Sequence, residues 1–176
     1  ALICGAPLIV SFGNFVSVAE STALITAARG ELSRALVSDA GAGVESDGRT
    51  GRNAWIAHDH NKQVLALARR IATITGIDLS HAESFQVLHY SQSDHYAPHY
   101  DAWEHHTEAG LRCMEQGGQR MITCLLYLNP VAAGGGTAFP RLNIEISATA
   151  QSMLLFHNCN EGTTVRRPDS LHSGLP

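Results

Sequence analysis

The spacing of apolar residues changes near residue 80. Over 16–37, Leu24, Ala27, Ala28, Leu32 and Leu36 recur at three- and four-residue intervals, which predicts a helix. Ser17 with Glu20 three residues on has the spacing of a capping box. Residues 38–53, rich in Gly, Ser and Asp, read as a loop. A second stripe, Val64, Leu65, Leu67, Ala68, Ile71 and Ile74, predicts a helix over 61–75 that Gly76 terminates. Beyond Ser80 the helical period disappears. Residues 85–90 (FQVLHY) and 120–128 read as strands, with 144–146 and 152–156 as further short ones. Asn129-Pro130 and the run Gly134-Gly135-Gly136 mark turns between them. Two helices followed by short strands predict an α+β protein, the helices buttressing a β-sandwich or barrel.

Length is compatible with one domain over 1–176, with 1–80 as a helical support region and 81–176 as the sheet core. The net charge of -4 provides no basic field to collect phosphates, so no nucleic-acid partner is expected. Apolar runs such as 6–10 and 153–156 are too short to span a bilayer, and no membrane association is expected. Cys4, Cys113, Cys124 and Cys159 are widely spaced and form no CxxC pair. They read as free thiols in a reducing compartment, hence a cytoplasmic location. The chain opens on Ala1, so a removed leader and a secretory route stay open. Nothing in the pattern speaks to oligomeric state.

Candidate chemistry centres on residues 85–103, FQVLHYSQSDHYAPHYDAW. There His99 precedes Asp101 by two residues at the end of an alternating stretch, and on a strand residues i and i+2 share a face. An imidazole and a carboxylate so placed can grip one metal ion, and His172 in SLHSGLP could add a third ligand. Two His and one carboxylate with open positions is the donor set of non-haem Fe(II) oxygenases. The spacing alone does not select this pair, since His81/Glu83 and His106/Glu108 repeat it in a chain with 10 His. His58 and His60 in AHDH admit a second metal site, but a solvated turn before the helix is the simpler reading. His105, His106 and Glu108 likewise read as a solvated loop that could form part of a substrate lid.

Beyond Ser80 the motifs follow one order: FQVLHY, HYAPHYD, GGQRMITCLLYLN, GGGTAFP and SLHSGLP. This order resembles the prolyl 4-hydroxylase family of Fe(II)/2-oxoglutarate-dependent dioxygenases. PLIVSFGNFVSVAE and SDGRTGRNAWI look like the lead-in of the same family, so the resemblance covers nearly the whole chain. It implies a double-stranded β-helix (jelly-roll) core buttressed by N-terminal helices, and it selects His99, Asp101 and His172 as the metal ligands. It implies Fe(II), 2-oxoglutarate and O2, with ascorbate as a possible reductant. The reaction would hydroxylate proline in a peptide or protein while decarboxylating 2-oxoglutarate to succinate. Carried over by position, Tyr90 and Thr137 would bind the far carboxylate of 2-oxoglutarate. Tyr96, Arg120 and Trp103 would face the peptide substrate.

Two departures qualify the resemblance. Gly136 stands where the family usually carries an acidic residue. The family's carboxylate-anchoring Lys would fall past Pro176, which raises the expectation that the natural chain continues further. Otherwise Arg166 or Arg167 would have to replace that Lys, or the chain would be a non-catalytic metal-binding jelly roll. The same chemistry on a free amino acid or another side chain is a further alternative. Segments 41–53 and 104–118 would set the preferred proline context.

Overall fold

In a computed structural model, which describes residues 1–37 and 43–176, the chain opens not with a helix but with a hairpin. Strands β1 (Leu2–Gly5) and β2 (Leu8–Phe12) pair antiparallel. Helix α1 (Val18–Ala28) follows, and Ser17 and Glu20 form the reciprocal capping box that their spacing predicts. The helix is shorter than the expected 16–37. After Arg29 the backbone leaves the helix, and β3 (Ser33–Arg34) pairs with β4 (Arg52–Ile56). Arg52 also donates to the Leu32 carbonyl at 2.6 Å, so pairing across the sheet overrides the helical spacing of Leu32 and Leu36. In the expected loop over 38–53, residues 38–42 lie outside the described residues, while Arg52 and Asn53 are strand.

Helix α2 (Lys62–Thr75) matches its prediction closely. Asn61 caps its start, and Gly76 ends it in the left-handed region at φ 69°. Next come β5 (Phe85–His89), β6 (Tyr96–His99) and an element the sequence reading missed, helix α3 (Glu108–Gly117). Thr107 caps α3 through a bond from the Gly110 amide, so 104–118 is not the solvated loop expected from its polarity. The remaining strands are β7 (Ile122–Tyr127), β8 (Thr137–Phe139), β9 (Ile144–Ile146), β10 (Ser152–His157) and β11 (His172–Gly174).

These strands form antiparallel sheets of order β1-β2-β10-β7, β6-β11-β8-β9 and β3-β4-β5. The two four-stranded sheets meet across Ile9, Phe139, Leu154 and Phe156, with the Phe139 and Phe156 rings edge to face at 5.1 Å. This is the jelly-roll arrangement within an α+β fold. The third sheet carries the helices: Leu24 of α1 and Val64 and Leu67 of α2 pack with Ile56 of β4 and Val87 of β5. The expected boundary at residue 80 therefore does not separate helices from sheet. β1 and β2 lie in the same sheet as β7 and β10, while β5, beyond residue 80, belongs to the sheet that carries the helices.

Candidate metal centre

Strand register brings the two distant histidines together. His99 ends β6, His172 begins β11, and the two stand directly opposite each other in the antiparallel pair. Asp101 follows just past the end of β6. One ligand atom from each of His99, Asp101 and His172 lies within 4.8 Å of the others, a convergence unique to this trio among the described residues. Asp101 Oδ1 is 3.5 Å from His99 Nε2, and its Oδ2 is 3.6 Å from His172 Nε2. The side chains are 18%, 22% and 9% exposed for His99, Asp101 and His172, so the centre is sheltered but not sealed.

The histidine tautomers are fixed from behind. His99 Nδ1 lies 2.9 Å from the Ala97 carbonyl, and His172 Nδ1 lies 2.9 Å from the Ser170 carbonyl. A carbonyl only accepts, so each Nδ1 carries a proton, and each Nε2, the nitrogen that faces Asp101, is the one placed to ligate a metal. Burial alone would push the Asp101 carboxyl up. Hydrogen bonding with His99, the nearby His172 and the Thr123 hydroxyl instead hold it well below the usual carboxylate range. Burial pushes His172 down, against the opposing charge of Asp101. An ionised carboxylate with a neutral imidazole is the protonation state that metal ligation requires. The donor set, its tautomers and its charge all fit Fe(II).

A second cluster lies two residues further along β11. Gly174 stands opposite Tyr96 on β6 and Thr137 on β8. The Tyr90 ring packs over Gly174, and a Cβ there would lie 3.3 Å from it. Thr137 is buried, and its hydroxyl lies 2.8 Å from that of Tyr127 on β7. Burial pushes the phenols of Tyr90 and Tyr127 up, so both remain protonated donors near neutral pH. Tyr127 was missed by sequence reasoning. Its strand was legible, but Thr137 approaches it from the other sheet, and no spacing rule signals that contact.

The three residues assigned to the substrate side sit around this centre in different ways. Tyr96 lies flat on the His99 ring, centroids 3.4 Å apart, with the Arg49 guanidinium over its other face at 4.6 Å. The Arg120 guanidinium lies 4.4 Å above the Trp103 ring and forms a two-pronged pair with Glu83 at 2.5 and 2.7 Å. Glu83, of the competing His81/Glu83 spacing, is thus an ion-pair partner of Arg120. Arg166 pairs with Glu104 and stacks on Tyr100, while Arg167 lies 3.7 Å from Asp169. Both arginines are thus engaged by carboxylates of this chain. His58 Nε2 donates to the Glu83 carbonyl at 2.9 Å and its ring meets Phe85 edge-on, so it packs rather than facing a metal.

Residues 85–176 match the 2OG-Fe(II) oxygenase superfamily. Probable prolyl 4-hydroxylase 3 of Arabidopsis thaliana is 33% identical over 94% of this chain and 63% of its own length. Human prolyl 4-hydroxylase subunit alpha-3 is 31% identical over 97% of this chain and 31% of its own length. The chain therefore spans under two thirds of either relative. Among solved structures, the viral collagen prolyl hydroxylase of Paramecium Bursaria Chlorella virus-1, in its 2OG complex, superposes with a TM-score of 0.70. That match covers 99% of this chain and 91% of the viral chain at 22% identity. A Pseudomonas putida prolyl-4-hydroxylase gives 0.65, with 98% and 87% coverage at 18% identity. Both share the fold. Converging His99, Asp101 and His172 within a jelly roll, together with the match over 85–176, place this chain in the 2OG-Fe(II) oxygenase superfamily.

Proposed function

We propose that the chain hydroxylates proline in a peptide or protein, using Fe(II), 2-oxoglutarate and O2 and releasing succinate. The convergence of His99, Asp101 and His172 across the β6–β11 pair carries this reading. These three side chains would hold the iron. Bound iron with 2-oxoglutarate would supply O2 activation coupled to oxidative decarboxylation.

The chain's own residues do the positioning. Tyr127 and Thr137 offer paired hydroxyls, and Tyr90 a third hydroxyl, to the far carboxylate of 2-oxoglutarate, whose burial demands donors. Tyr96 covers one face of His99 and limits approach from that side. Trp103 and Arg120 form a flat, cationic wall suited to a peptide, with Glu83 orienting the guanidinium. Ascorbate belongs to the proposal as the reductant that restores Fe(II) after unproductive turnover.

The test is incubation of the protein with a proline-rich peptide, Fe(II), 2-oxoglutarate and ascorbate. Succinate release matched by gain of one oxygen atom at proline is the expected result. Oxygen gain at another side chain would replace proline as the target. Absence of both succinate and oxygenated peptide would overturn the reading.

A further inference from the structure

Behind the triad runs a buried hydrogen-bonded chain that joins two of its members through one residue. Asn158 is fully buried just past the end of β10. Its side-chain Nδ2 donates to Thr123 Oγ1 at 2.8 Å, and Thr123 Oγ1 donates to Asp101 Oδ2 at 2.5 Å. Its backbone carbonyl lies 3.2 Å from Ser170 Oγ, whose single proton is shared with the nearer Arg167 carbonyl at 2.8 Å, while the Ser170 carbonyl accepts from His172 Nδ1 at 2.9 Å. Asn158 is itself pinned by its amide to the Met121 carbonyl at 2.9 Å and by the Arg167 amide at 3.0 Å.

The polarity of this chain is forced. A threonine hydroxyl has one proton, and ionised Asp101 can only accept. That proton must point at Asp101, so Thr123 Oγ1 must accept from behind, where only the amino end of the Asn158 amide can donate. Asn158 Oδ1 is then left buried without a hydrogen-bond partner among the described residues. Such an orphan is costly. It persists because the other end of the amide orients a bond to a charged group, and bonds of that kind are the stronger ones.

We propose that Thr123 and Asn158 are positioning residues for the metal centre. In this account the Asn158 amide orients the Thr123 hydroxyl, which occupies Asp101 Oδ2 and presents Oδ1 as the single carboxylate ligand. Holding the carboxylate to one oxygen keeps more coordination positions open for cosubstrate and O2. The inference rests on the reading of His99, Asp101 and His172 as metal ligands. Neither residue touches the reacting atoms; both act through Asp101.

The test is Co(II) binding without 2-oxoglutarate, read from the visible absorption of the bound ion, in variants that still melt cooperatively. Thr123→Val should weaken Co(II) about 10- to 100-fold, as loss of outer-shell partners does. Thr123→Ser, which keeps the hydroxyl, should stay within about threefold on the same scale. Asn158→Ala keeps the backbone bonds to Met121, Arg167 and Ser170 and should give a smaller loss. Because Asn158 acts through Thr123, the double variant should bind no more weakly than Thr123→Val alone. Should Thr123→Val fail to fold, Thr123→Ala removes the same donor without placing a methyl against the carboxylate. Unchanged affinity on losing the hydroxyl would overturn the proposal, as would additive losses in the double variant. Absence of Co(II) binding by the unaltered protein would instead overturn the metal reading beneath it.

Discussion

Tyr127 and Thr137 show what a single side chain contributes here. Their hydroxyls meet at 2.8 Å where β7 faces β8, and each needs the other to avoid burial without a partner. If they receive the 2-oxoglutarate carboxylate, Tyr127→Phe removes a hydrogen bond to a charged group, about 1.5–3 kcal/mol. The expected outcome is a KM for 2-oxoglutarate raised about 10- to 100-fold with metal affinity unchanged, measured by succinate release. Tyr90 is tested from behind. A Cβ at Gly51 would lie 2.3 Å from its ring, so Gly51→Ala must displace the ring and should also raise that KM. The sequence allowed His99, Asp101 and His172 to be named only because the order of motifs selected one of three equal spacings. Thr123 and Asn158 carried no such signal: they lie 35 residues apart and meet only once β7 pairs with β10.

At the level of elements, the start of α1 is held by more than its own turn. Ser17 and Glu20 exchange bonds, and Arg70 of α2 reaches Glu20 at 2.7 and 2.9 Å and the Phe15 carbonyl at 3.0 Å. Ser17→Ala should cost about 1 kcal/mol, read from a shift of the urea midpoint. Burial would raise the Glu20 carboxyl, but Arg70 and Ser17 together hold it below its ordinary value. Its contribution is therefore fully present above the unfolded glutamate pKa of about 4.3 and is lost as pH falls through the lower folded value. Glu20→Gln should flatten stability against pH across that acid range. The Arg70 end is partly in water, so the loss at neutral pH should be roughly 1 kcal/mol or less. The capping box was legible because it is local. The early end of α1 was not, since it depends on Ser33 finding Asn53 across a sheet. β10 reads as a continuous apolar run rather than an alternation because it is flanked by β2 and β7 and buried along its length.

Two four-stranded sheets close on an aromatic core that also backs the candidate metal centre. The Phe156 ring lies 4.8 Å from the His172 ring and 5.1 Å from Phe139, so packing and site share the same side chains. Phe156→Ala should cost about 3–5 kcal/mol in denaturant titration. Phe156→Leu should keep the fold while loosening His172, so metal affinity should fall further than stability alone explains. A jelly roll with helical buttress was foreseeable from motif order. That residues 2–12 complete one of its sheets was not, because the partners of β2 lie beyond residue 152. On the proposed function, His99, Asp101 and His172 assemble a centre that takes iron and 2-oxoglutarate together. The most direct measurement is anaerobic titration of the protein with Fe(II) and then 2-oxoglutarate, followed in the visible. A weak charge-transfer band that saturates with 2-oxoglutarate and is lost in His172→Ala is the predicted result. A protein that develops no such band, or a His172→Ala variant that keeps it, would contradict the account.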